Sequence, residues 1–177
     1  RPGALAESNL VINLNESFDE AAFPQGTDWI VPKKFIGVWW LMITGRADWE
    51  YTGPRSGNHG AQTDRMKRYM SFASEHGIPS VLVEGWNEGW DSYPGDGSTM
   101  DFDDPYPDFD WDEVISHGES LDPPVEMTAH NETAGNISNY EAQLDDDPNP
   151  FDDYDSRGIR SIKTGYVCNP GLGFEGD

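Results

Sequence analysis

Positive charge is what this sequence has least of. Its 177 residues carry 11 Lys and Arg against 33 Asp and Glu, a formal charge of −22. No Lys or Arg occurs between Arg68 and Arg157. Phosphate backbones and anionic membranes are bound by basic surfaces, so the composition argues against nucleic acid and membrane as partners. Surfaces this acidic repel themselves unless counterions screen them, which suits a protein that works in high salt. Cysteine is almost missing as well. Cys168 stands alone, so no intrachain disulfide forms, and with no activating base near it in sequence it reads as a structural thiol. Neither an apolar run of membrane length nor a secretory h-region is present in these residues. No initiator methionine opens the chain at Arg1-Pro2-Gly3, as expected of a processed or excised piece. Disorder is also disfavoured, because aromatic residues make up 12% of the chain and are interleaved through its acidic half.

Against that background one stretch concentrates chemistry: Val81-Leu82-Val83-Glu84-Gly85-Trp86-Asn87-Glu88-Gly89-Trp90. A short apolar run bounded by glycine reads as a buried strand that ends at Glu84. A cavity at such an edge, lined by Trp86 and Trp90 with carboxylate and amide tips, suits a sugar. Aromatic faces stack on the C–H-rich faces of pyranose rings, and carboxylates and amides bond their hydroxyls. The same residues read equally as core plus a solvated loop. Three glycosylation sequons, at Asn15, Asn131 and Asn136, carry little weight outside a eukaryotic secretory route.

In chain order, residues 9–14 alternate loosely as a strand, and residues 15–32 form a connector with Pro24, Gly26 and Pro32. Residues 34–43 read as one continuous apolar strand, with Trp39 and Trp40 on opposite faces. Residues 44–60 form a polar loop. Thr63 to His76 is a helix with Met66, Tyr69, Met70 and Ala73 on one stripe, and Gly77 ends it. Ile78 to Glu84 is a strand, followed by a long loop to Phe109 rich in Asp, Gly and Pro. Asp110 and Glu113 start a helix that runs to about His117. Val125 to Ala129 is a strand, Asn139 to Leu144 begins a helix, and Ile159 to Thr164 is a fourth strand. Strands are therefore expected near residues 35–43, 79–84, 125–130 and 159–164, parallel and adjacent in that order. This alternation implies an α/β fold with right-handed crossovers, whose ligand site lies at the C-terminal strand ends. Glu84, Glu132 and Gly165 all fall at such ends.

Several blocks together resemble glycoside hydrolase family 97. They are Val38-Trp39-Trp40, His59-Gly60-Ala61, Met66-Lys67-Arg68-Tyr69, Glu84 to Trp90, Pro105 to Asp110, His130-Asn131-Glu132-Thr133 and Lys163-Thr164-Gly165-Tyr166-Val167. Order and spacing match along residues 28 to 169. The resemblance implies bacterial α-glucosidases and α-galactosidases with an N-terminal β-sandwich, a (β/α)8 barrel and a C-terminal β domain. It implies that residues 1–33 are a linker or the end of the sandwich. Residues 34–177 would then be the N-terminal half of the catalytic barrel, about four parallel β/α units of a truncated chain. By the same resemblance Glu132 is a general base of the inverting branch. His130 and Lys163 contact substrate, and Glu84 and Trp86 line the site. Gly165 stands where the retaining branch has its nucleophilic aspartate, which disfavours retention. An oligosaccharide substrate, a periplasmic or secreted location, and calcium in the complete enzyme are implied too, with no metal ligand assigned in this chain.

Three departures qualify the expectation. The family's general acid, a further base and its calcium ligands are expected beyond the fourth strand or in the sandwich, so the isolated chain is expected to be inactive. Asn131 stands where the family usually has a second histidine. Residues 121–124 and 145–157 carry prolines and aspartates where crossover helices belong. Half a barrel also leaves two open edges through which the chain would self-associate. A non-catalytic carbohydrate-binding remnant and an acidic calcium-binding or interaction protein remain as alternatives. The latter lacks the twelve-residue calcium-loop pattern.

Overall fold

The structure is a computed structural model that describes residues 26, 28, 30–54, 57–93, 97–133, 140–146 and 148–165. Contacts divide the chain into Arg1–Pro32 and Lys33–Asp177, and every element that follows lies in the second unit. The residue 9–14 strand, Cys168 and the sequons at Asn15 and Asn136 lie outside the described residues.

Four parallel strands form one sheet in the order β1-β2-β3-β4: β1 (Phe35–Gly37), β2 (Ser80–Val83), β3 (Glu126–Asn131) and β4 (Ser161–Thr164). The registers pair Phe35 with Ser80, Val83 with Ala129, and His130 with Lys163. Among the described residues, five α-helices connect or flank them: α1 (Trp39–Ile43), α2 (Thr63–Glu75), α3 (Trp111–Glu119), α4 (Tyr140–Leu144) and α5 (Pro150–Ser156). The period of two in a strand then sorts side chains by face. Val81, Val83, Met127 and Ala129 point to the helices and join Met66, Met70, Ala73 and Val114 in the main core. Leu82, Glu84, His130, Glu132 and Lys163 line the opposite face.

The two best-patterned helices form as their sequences direct. In α2, Met66, Met70 and Ala73 are buried. A Schellman closure ends it: Gly77 N–H donates to Ser74 O at 3.1 Å and Ile78 N–H to Ala73 O at 2.8 Å, with Gly77 at φ +64°. In α3, Asp110 Oδ1 accepts the Glu113 N–H at 2.9 Å, the cap its sequence announces.

Two segments correct the sequence reading. The apolar run 34–43 is not one strand: it leaves the sheet after Gly37 and coils into α1. Val38 and Met42, one turn apart, are buried, while Trp39, Trp40 and Ile43 are 41%, 68% and 51% exposed. So short a helix is not held by propensity. Its anchor is Met42, whose Sδ packs on Gly60 and would lie 2.5 Å from a Cβ there. Residues 145–157 do not degrade the crossover either. Pro150 occupies the first turn of α5, where its missing N–H costs nothing. Asn149 Oδ1 caps Phe151 and Asp152, and Asp152 and Asp153 complement the helix dipole. Arg157 then ties α5 to α3, with its guanidinium 2.7 Å from Asp153 and 2.9 Å from Asp112.

The loop after β2 is an ordered layer in its described parts. Trp90, Met100, Phe102 and Tyr106 form a second apolar cluster. Tyr106 N–H donates to Trp86 O at 2.9 Å, and Glu88 N–H to Asp104 O at 3.0 Å. The Tyr106 hydroxyl accepts the Trp90 N–H, and burial, aided by the Asp91 carboxylate, pushes this phenol up to about 12.

Candidate active site

At the C-terminal ends of the strands lies an open cavity of about 490 Å³. Its lining includes Glu84 after β2, His130 and Glu132 at the end of β3, and Lys163 and Gly165 at the end of β4. Phe35, Trp39 and Leu82 supply apolar wall. Four of the five residues expected at the site are thus brought together.

Lys163 and His130 are register partners, so both project from the same face. Lys163 Nζ stands 3.3 Å from His130 Nδ1. An ammonium only donates, so Nδ1 accepts and the ring carries its proton on Nε2. That Nε2 lies 3.5 Å from Glu132 Oε2. Lys163, His130 and Glu132 therefore stand side by side along the cavity wall, with Nε2 buried and making no hydrogen bond to a described residue. Glu132 Oε1 accepts the Thr133 N–H at 3.0 Å, and the carboxylate is almost wholly buried. Gly165 N–H donates to Asn131 O at 2.8 Å, which brings the β4 end flush against Glu132. A Cβ at Gly165 would stand 2.2 Å from Glu132 Oε1 and 2.8 Å from Oε2. As it stands, the Glu132 carboxylate occupies the space that a Cβ at position 165 would need.

Trp86 is a correction. It is 0% exposed and does not line the cavity. It packs with its ring 4.2 Å from that of Trp111 and donates Nε1–H to His130 O at 3.0 Å. Its contribution is to hold the β3 backbone from behind. Asn131 also faces away from the cavity. It is fully buried, with Oδ1 3.0 Å from the Tyr154 hydroxyl, so no glycan reaches this sequon and the missing second histidine costs the cavity no side chain.

Two residues escaped the sequence reading because they lie in the segment taken as a plain polar loop. Trp49 donates Nε1–H to Glu84 Oε1 at 3.0 Å. His59, fully buried, bonds Gly85 O through Nε2 and Asp108 Oδ1 through Nδ1, both at 2.7 Å. Gly85 sits at φ +81° with Trp49 O against its missing Cβ, so His59 fixes the turn that aims Glu84. The His59-Gly60-Ala61 block was the available signal. Replacing His59 with leucine leaves the Gly85 carbonyl and Asp108 without this partner. Urea unfolding is expected to show a loss of about 2 kcal/mol, and an unchanged midpoint would contradict the clamp.

A sequence profile of the family described as glycoside hydrolase 97 matches residues 39–173. The chain belongs to glycoside hydrolase family 97. Solved structures of a family 97 enzyme from Pseudoalteromonas sp. strain K8 are similar to it. The complex with acarbose is 39% identical with a TM-score of 0.69, and a variant in complex with panose is 39% identical with a TM-score of 0.70. Each match covers 80% of this chain and 20% of that one, so the chain spans about a fifth of the enzymes it resembles. The parallel α/β sheet is accordingly consistent with part of a (β/α)8 barrel.

Calcium does not fit the described residues by themselves. Among them no three His, Cys, Asp or Glu side chains gather as a metal site. The two carboxylates of the cavity fall short of the about six to eight oxygens calcium takes. Among the described residues, no helix is long and apolar enough to cross a membrane.

Proposed function

We propose that this chain is the first half of the catalytic barrel of an inverting α-glucosidase and supplies its general base, Glu132. On this reading residues 34–177 belong to the barrel and residues 1–33 lead into it from a preceding domain. The observation that carries it is the packing of Glu132 on Gly165. A retaining enzyme needs a nucleophilic side chain close to the anomeric carbon, and the position that would bear it is Gly165, where a Cβ would displace the Glu132 carboxylate from its place. Inversion needs instead a base that holds a water, with the acid about 6.5–9.5 Å away across the scissile bond. Glu132 lies on the cavity wall, with the Thr133 N–H donating to its carboxylate and His130 beside it. On this reading Lys163 bonds a sugar hydroxyl, His130, buried between Lys163 and Glu132, positions both, and Glu84, held by Trp49, accepts from the sugar.

The acid that protonates the leaving group is assigned to another part of a longer protein. The isolated chain is therefore expected to turn over no α-glucoside. In the whole protein, proton NMR during hydrolysis should show β-glucose as the first product. Release of α-glucose first would sink the inverting assignment, and turnover by the isolated chain at an ordinary glycosidase rate would sink the division of the site.

A further inference from the structure

The block from Pro105 to Asp110 lies outside the cavity lining, yet it reaches Glu84 from behind through Asp108. The backbone of Asp108 is pinned to the start of α2. Asp108 O accepts the Thr63 N–H at 3.0 Å and the Thr63 hydroxyl at 2.9 Å, and that hydroxyl accepts the Asp110 N–H at 2.8 Å. From this base the Asp108 carboxylate holds His59 Nδ1, while His59 Nε2 reaches Gly85 O, both at 2.7 Å. A carbonyl oxygen only accepts, so Nε2 carries a proton, and a further proton lies between Nδ1 and Oδ1. Bonds at both nitrogens fix the tilt of the buried ring.

His59 governs Glu84 by two routes. The first is the Gly85 carbonyl, in the turn that follows Glu84. The second runs through the backbone of His59, which forms a parallel β-bridge with Asp48. Asp48 N–H donates to Asn58 O at 3.0 Å, and Gly60 N–H to Asp48 O at 2.8 Å. Trp49 follows directly; its carbonyl lies against Gly85, and its indole N–H donates to Glu84 Oε1 at 3.0 Å. Arg65, in the first turn of α2, bonds both His59 O and Gly60 O. Both grips on the Glu84 carboxylate therefore return to His59.

We propose that Asp108 is a positioning residue for the hydrolysis, which acts through His59 to hold Glu84 where it meets the sugar. This rests on the glucosidase reading, in which Glu84 accepts from the substrate. Without the carboxylate, Nδ1 is left buried and lacking this partner, and the ring turns to find another. Gly85 O then loses its donor, and the bridge that carries Trp49 shifts with His59. A functional group works only within about 0.5 Å of its productive place, and it depends on the residues behind it to stay there.

The test is a double-variant cycle in the whole protein, read as kcat/KM for maltose. Asp108→Ala is expected to lower it about tenfold, an interaction of about 1.4 kcal/mol. In a Glu84→Ala background the same change is expected to cost nothing further, because groups that act as a unit do not add. Losses that multiply would show that Asp108 serves the fold or another group, which overturns the proposal and leaves the glucosidase reading standing. Asp108→Asn is expected to restore most of the loss. Its amide N–H can donate to Nδ1 of a ring protonated only on Nε2, so both contacts of His59 survive. An asparagine variant as poor as the alanine one overturns the action through His59. The Asp108 side chain is 22% exposed, and the Thr63 bonds hold its backbone whatever side chain follows, so truncation leaves the chain folded. If the alanine variant melts below the assay temperature, Asp108→Ser carries the same cycle. Failure of the unaltered protein to cleave maltose instead overturns the glucosidase reading, and the positioning role falls with it.

Discussion

Alanine at position 165 is expected to remove as much hydrolytic activity as glutamine at position 132. The backbone at Gly165 is not in the left-handed region, so alanine meets no strain of its own there. What opposes it is Glu132, whose Oε1, Cδ and Oε2 would lie 2.2, 2.6 and 2.8 Å from the added Cβ. The peptide cannot retreat without breaking the bond from Gly165 N–H to Asn131 O. The carboxylate must turn instead, losing the Thr133 N–H and its place beside His130. Positioned acid–base groups typically contribute about 10²–10⁴-fold in rate. Gly165→Ala and Glu132→Gln should each lower kcat of the whole enzyme by that order. The double variant should be no worse than either alone, since both remove one function. Alanine activity within threefold of the unaltered protein would show that Glu132 does not work from this position. Additive losses would show that Gly165 acts through something else.

Gly118→Ala is expected to be strongly destabilising. In an exposed helix the exchange gains up to about 1 kcal/mol, because alanine loses less backbone freedom. Here the sign reverses. Gly118 is a buried residue of α3, and its Cβ would stand 2.3 Å from the Val125 carbonyl oxygen and 2.9 Å from Met70 Sδ. Gly118 O also accepts the Val125 N–H at 3.0 Å, so the helix and the lead into β3 cannot simply separate. Overpacking against backbone with no flexible end to yield should cost about 4 kcal/mol, near the top of what single substitutions do. For a chain this long that corresponds to a melting temperature lowered by roughly 8–16 °C. A melting temperature equal to or above that of the unaltered protein would mean that α3 does not dock on Val125 this closely.

How far the architecture was legible depended on how local its signals were. Helix α2 carries its apolar stripe and its glycine stop in its own residues, and α3 its aspartate cap. The strands β2, β3 and β4 are brief apolar or β-branched runs between breakers. The run from Phe35 to Ile43 has no such signal, because an unbroken apolar stretch fits a buried strand and a short helix alike. Only Met42 packing on Gly60 decides between them. Pro150 misled for a related reason: proline breaks a helix interior but starts a helix well, and which applies depends on where Asn149 caps.

For the site, strand-end position pointed to Glu84, Glu132 and Gly165, and the family resemblance added His130 and Lys163; parallel strands then carry side chains of matched parity to one face at one end. The sequence by itself determined the acidic character, the strand–helix alternation and the fall of Glu84, Glu132 and Gly165 at strand ends. These follow from composition and from periods of two and 3.6, which need no partner elsewhere in the chain. Tertiary structure alone decided that Trp86 is buried behind β3 rather than beside a ligand, that His59 and Trp49 aim Glu84, and that Glu132 fills the space left by Gly165. Each of those facts is a contact between segments far apart in sequence. Close packing sets them to within a few tenths of an ångström, and no local pattern encodes a distance of that kind.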